Sequence, residues 1–134
     1  MRSRFSKKNK YYISRHVFLT VYHYCLNYND WVQAYNDAAG LHSKSQDTVS
    51  PGTGDPTASQ AMKLADLFQR IETIRQTAFS AEPDLNPWLL QYVTNEGMTF
   101  DKLKAKGMPC ERDMFYDRRR KFYWMMAVKL KFIK

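Results

Sequence analysis

Four consecutive cations, Arg118 to Lys121, stand between the aromatic pairs Phe115-Tyr116 and Phe122-Tyr123 in the stretch "TFDKLKAKGMPCERDMFYDRRRKFYW". Clustered guanidinium and ammonium groups bind the phosphates of a polyanion, because each contact releases condensed counterions. Clustered aromatics need a core and clustered charge needs water, so the segment requires a helix with one buried and one wet side. The remaining reactive side chains form no such group. His16, His23 and His42 are scattered, no carboxylate pair stands beside a candidate base, and no glycine-rich loop follows a strand. An enzyme is therefore not expected, nor any metal or cofactor. Cys25 and Cys110 lie far apart without a CxxC pattern and read as buried free thiols.

The charge is unevenly placed. Within the net +8, Met1 to His16 carries six bases and no acid, Val17 to Met98 four bases and nine acids, and Thr99 to Lys134 eleven bases and four acids. An acidic body with two basic ends suits a nucleic-acid partner. With 44% apolar and 15% aromatic residues in 134, the chain is expected to fold as a single domain around one core. No segment spans a bilayer and Met1 to Lys10 lacks the apolar centre of a signal peptide, so a cytosolic protein, off the membrane, is expected.

Periodicity predicts an all-α fold. Residues 1–10 read as a flexible basic arm, with Lys7 and Lys8 as phosphate contacts. A helical hairpin is predicted over 11–40: Ser14 caps a first helix to about Leu26, Asn29 or Asp30 caps a second, and Gly40 ends it. Residues 41–54 are Ser-, Thr-, Gly- and Pro-rich and read as a mobile loop. Asp55-Pro56 opens a long central helix over 55–81, with Ala61, Leu64, Ala65, Phe68, Ile71, Ile74, Arg75 and Ala78 along an apolar stripe. "EPDLNP" stops it, and Asn86-Pro87 caps a short helix bearing Trp88, Leu89, Tyr92 and Val93.

A helix-turn-helix region is predicted over 86–134. Thr99 caps a helix holding Phe100 and Leu103, Gly107 takes the left-handed position that ends it, and a long helix starts near Glu111. On a 100° wheel Phe115, Phe122 and Met126 share a buried side, Arg118 and Arg119 flank it, and Tyr116 and Arg120 point away. In this register Arg120 reads bases, while Arg112, Arg119 and Lys121 contact phosphates, with Tyr116 and Arg118 beside them. Phe68, Ile71, Phe115 and Phe122 are expected to share one core.

From Asp55 to about Leu130 the sequence resembles the small late-operon transcriptional regulators of Gram-positive phages and prophages, the ArpU/RinA-like group with a sigma-70 region-4-like helix-turn-helix. The match rests on Asp55, Pro56, Thr57 and Ala58 at the head of the long helix, and on Phe115 and Tyr116 followed by Arg118, Arg119, Arg120 and Lys121. Two departures accompany it: Met108 to Met114 exceeds the usual turn, and Asp113 stands where an apolar contact is common. The resemblance implies sequence-specific binding of double-stranded DNA and control of phage late genes. RNA polymerase is a further candidate partner, and the apolar residues of the tail either finish the core or form a homodimer seam. Two alternatives remain open: an accessory protein that binds polymerase or inhibits a host defence nuclease, and a small terminase-like DNA-recognition subunit.

Overall fold

The computed structural model describes residues 9–40 and 58–133, and every regular element among them is helical. Residues 1–8 of the basic arm, with Lys7 and Lys8, the 41–54 loop and the Asp55-Pro56 cap fall outside the described residues, while the arm's last two residues, Asn9 and Lys10, enter a turn in which Asn9 accepts from the Tyr11 and Tyr12 amides.

Helix α1, Arg15–Cys25, starts as its sequence dictates: the Ser14 hydroxyl accepts a 3.2 Å hydrogen bond from the Val17 amide. Phe18, Val21 and Cys25 line its buried side. Burial also pushes the Cys25 thiol well above its usual range, leaving a thiol with almost no thiolate character. Helix α2, Tyr28–Ala38, begins one residue before the predicted caps; Asn27 precedes it and makes no side-chain cap bond. Instead, Asn29 reaches across to the Thr94 carbonyl at 3.2 Å. Gly40, at φ +70, follows the helix as expected.

The two helices serve different partners. Helix α1 packs on α6, Arg112–Lys129, whereas α2 packs on α3, Ala58–Ala81. The α2–α3 seam is polar and aromatic: Arg75 donates through Nη2 at 3.0 Å and Nε at 3.2 Å to the Tyr28 hydroxyl, and the Arg70 guanidinium lies 5.2 Å from the Trp31 ring.

Only the second half of α3 carries the predicted stripe into the core. Ile71, Ile74, Thr77, Ala78 and Ala81 are buried, while Ala61 and Ala65 are exposed and Phe68 is 51% exposed. Phe68 therefore does not share the core of Phe115 and Phe122; its ring lies 6.1 Å from Tyr35 of α2. Arg75, counted in the stripe, is exposed and paired with Glu72 at 2.9 Å.

Glu82, extended at φ −165, ends α3, and a short 3-10 turn, Pro83–Leu85, leads into α4, Asn86–Thr94. Asn86 lies inside the helix rather than capping it, and its Oδ1 is buried without a partner. Leu89 and Val93 enter the core. Helix α5, Phe100–Ala105, is capped by Thr99, whose side chain accepts from the Lys102 amide at 3.1 Å.

Two helix ends use the same device. After α5 the Gly107 amide bonds to the Lys104 carbonyl at 2.9 Å and the Met108 amide to Leu103 at 3.1 Å. After α6 the Lys131 amide bonds to Val128 at 3.0 Å and the Phe132 amide to Ala127 at 2.9 Å. Both are paired bonds around one left-handed residue, which is Gly107 at φ +103 in the first case and Lys131 at φ +67 in the second. A Cβ at Gly107 would meet nothing within 4 Å, so the cost of Gly107→Ala is backbone strain alone, about 1–2 kcal/mol of lost stability. Lys131→Gly should act oppositely and gain about 0.5–1 kcal/mol, because relief of that strain exceeds the chain entropy glycine adds. Urea midpoints at unchanged m-value would show both shifts.

Helix α6 supplies a large part of the core. Phe115, Arg119, Phe122, Tyr123, Met126 and Ala127 are buried along it, against α3 on one side and α1 on another. No described helix is long and apolar enough to cross a membrane.

Candidate nucleic-acid interface

The six candidate side chains on α6 fall into very different surroundings. Arg119 repeats the spacing of the buried stripe, four residues after Phe115 and three before Phe122, and is 6% exposed. Its Nη1 donates to the Tyr92 hydroxyl at 2.8 Å, and its guanidinium lies 4.7 Å from the Tyr116 ring centre and 5.7 Å from that of Tyr92. A phosphate on the outer surface does not reach it, which corrects the expected role. Arg119 was expected to flank the buried stripe, but its spacing places it within the stripe.

Arg120 does not point away either. Its side chain is 22% exposed, its Nη2 stands 3.6 Å from Asp117 and its Nε is buried without a partner. Arg118 is held from two sides, by Glu82 at 2.9 Å and Asp117 at 2.6 Å, so it ties α6 to the end of α3. Lys121 is half-buried. Tyr116, expected outward, is half-buried between Phe100, at 6.0 Å between ring centres, and Arg119. The four-cation run is thus largely spent inside the molecule, on two carboxylates and a tyrosine cage.

Arg112 is the exception. It is exposed in the first turn of α6, pairs with Asp101 at 2.9 Å and covers the Phe100 ring at 4.6 Å. Both groups are well exposed, so the ion pair adds little stability and remains open to exchange for a phosphate. Sequence reasoning passed over three further cations, Lys102, Lys104 and Lys106, all exposed on α5 and its end. Lys102 donates to the Gly97 carbonyl at 3.2 Å and Lys106 to the Gln91 side chain at 3.0 Å, both neutral acceptors that leave the charge uncancelled. The signal was present in the alternation "KLKAKG", but the longer run downstream outweighed it.

The outer surface of α6 near its start carries Glu111, Arg112, Asp113 and Met114, with Met114 43% exposed. The two acids suit the positive end of the helix dipole and repel phosphates, which confines any backbone contact to the α5 side of this corner. His16 and His23 are exposed on α1, and no group of three or more His, Cys, Asp or Glu that could hold a metal ion occurs among the described residues.

No family model, no curated protein and no solved structure matches the chain. The likeness to the ArpU/RinA-like regulators therefore stands on the residue pattern alone.

Proposed function

We propose that the chain is a sequence-specific DNA-binding protein, a transcriptional regulator of phage or prophage type acting in the cytoplasm of a bacterial host. It docks through the corner formed by α5, the Gly107 turn and α6, used as a helix-turn-helix. The observation that carries this reading is the exposure of four cations on the elements of that corner, Lys102, Lys104 and Lys106 of α5 and its end and Arg112 in the first turn of α6. In such a motif the start of the second helix meets base edges and the surrounding cations hold phosphates. Base contacts pass from Arg120 to Arg112 and the neighbouring side chains of that turn. Arg118, Arg119 and Arg120 become the internal ties that fix the helix.

The test is fluorescence anisotropy on a duplex selected from a random pool and on a scrambled duplex, each at several salt concentrations. Wild type should bind both with a steep salt dependence and favour the selected duplex. Arg112→Ala should cost about 1–3 kcal/mol, mainly on the selected duplex. Arg120→Ala should leave the ratio between the duplexes unchanged. Absence of salt-sensitive affinity would remove the DNA reading.

A second reading has its own observation. Met62 and Phe68, 72% and 51% exposed, stand on the protruding half of α3, and Phe68 borders a groove of about 750 Å³ with Tyr24 and Leu130. Exposed apolar side chains along a groove suit an accessory protein that binds another protein.

A further inference from the structure

We propose that the cavity between α1, the junction of α4 and α5, and α6 binds a small organic anion: Arg119 holds the anionic head and aromatic side chains hold a planar apolar body. The cavity encloses about 320 Å³, and Arg15, Phe18, Tyr22, Tyr92, Arg119 and Tyr123 are among its lining residues. Two arginines line it and no acid does.

Arg119 points to a ligand because it differs from its neighbours. Arg112, Arg118 and Arg120 each stand against a carboxylate, of Asp101, of Glu82 and Asp117, and of Asp117 respectively. Arg119 is more buried than any of them and meets no carboxylate among the described residues; its one hydrogen bond is to the Tyr92 hydroxyl. A guanidinium carries five N–H donors in a fork that fits a carboxylate or phosphate with two parallel bonds. Fully enclosed side-chain atoms without a partner are Asn86 Oδ1 and Arg120 Nε among the described residues, so the free donors of Arg119 are not sealed off, and Arg119 lines the cavity. The Tyr92 and Tyr116 rings offset part of the cost of removing this charge from water, and an anion would offset the rest.

The walls define the rest of the ligand. Phe18 and Tyr22 stack at 5.7 Å between ring centres and 26° between planes, and Tyr123 meets the Phe18 ring edge-on at 5.0 Å. This aromatic side suits a flat apolar group. Arg15, exposed at the rim, adds a second positive charge that draws anions in. The volume lies at the lower end of small-molecule sites, which excludes a duplex. The inference is independent of the DNA reading, since none of the four cations of the α5 corner lines the cavity.

The probes are benzoate, phenyl phosphate and the neutral benzyl alcohol, titrated into the full chain by calorimetry. At least one anion should bind about tenfold or more tightly than benzyl alcohol. Arg119→Met should erase that preference, and Arg15→Ala should weaken the anion by a few-fold. Arg119→Lys, which keeps the charge and loses the fork, and Tyr22→Ala, which removes part of the aromatic wall, give the same reading if Arg119→Met does not fold; both should weaken the anion. Equal binding of the alcohol, undiminished anion binding by these variants, or no binding of any probe would overturn the proposal. Displacement of phenyl phosphate by duplex DNA would place the probe on the outer surface rather than in the cavity and overturn the small-molecule site.

Discussion

Phe115→Ala should lower the unfolding free energy by about 3–5 kcal/mol, the usual cost of emptying a buried phenylalanine site. Phe115 is fully buried at the meeting point of three helices, its ring 5.1 Å from Tyr92 of α4, 5.7 Å from Phe100 of α5 and 5.8 Å from Tyr116 of α6. No single neighbour can fill the space, because each is already fixed by other contacts: Tyr92 by Arg119, Phe100 by Arg112. Domains of this size hold about 5–15 kcal/mol in total, so the variant should be marginal at 25 °C. Phe68→Ala provides the contrast. Its ring is half in water and its loss should cost well under half as much. Urea unfolding of both variants measures the difference; equal midpoints would move Phe115 out of the core or Phe68 into it.

Replacing Lys102, Lys104 and Lys106 together by alanine should give the largest loss of DNA affinity. Each phosphate contact contributes about 0.9 to the slope of log K against log salt, so the triple variant should be shallower by about 2–3. Selected and scrambled duplexes should weaken alike, since phosphate contacts carry no sequence information. Stability should change little, because the three side chains are exposed and form no ion pair among the described residues, and alanine favours the helix. The comparison that decides is Arg118→Ala, which removes one cation from the downstream run. It should leave the salt slope in place and lower the melting temperature, since it strands Glu82, itself only 17% exposed. The reverse pattern would return the phosphate contacts to α6.

The helical course of the chain was legible because local signals govern helix ends. Ser14, Thr99, Gly40 and Gly107 act at the positions their chemistry requires. Asn86 misled for a physical reason: the Pro83–Leu85 turn feeds directly into α4, so the residue that resembled a cap already lies inside the helix. The candidate interface was less legible. Whether an arginine on a helix meets solvent or an acid depends on what the rest of the chain brings opposite it. Glu82 lies thirty-six residues from Arg118, and Tyr92 twenty-seven from Arg119. Spacing along one helix does not contain that information, although it did contain the position of Arg119 on the buried stripe. The same limit explains α3, whose apolar period runs on past the point where α6 and α4 stop covering it.

That uneven cover of α3 divides one continuous helix into two halves with different lifetimes against solvent. Amides around Ile71, Ile74 and Ala78 sit beneath packed side chains and should exchange their hydrogens only when the whole domain opens. Amides from Ala61 to Ala65 rest on a helix backbone with little tertiary support and should exchange by local fraying, orders of magnitude faster. A partner that seats itself along Met62 and Phe68 would then be recognised by slowed exchange in those first turns alone, with the rate at Ile74 unmoved.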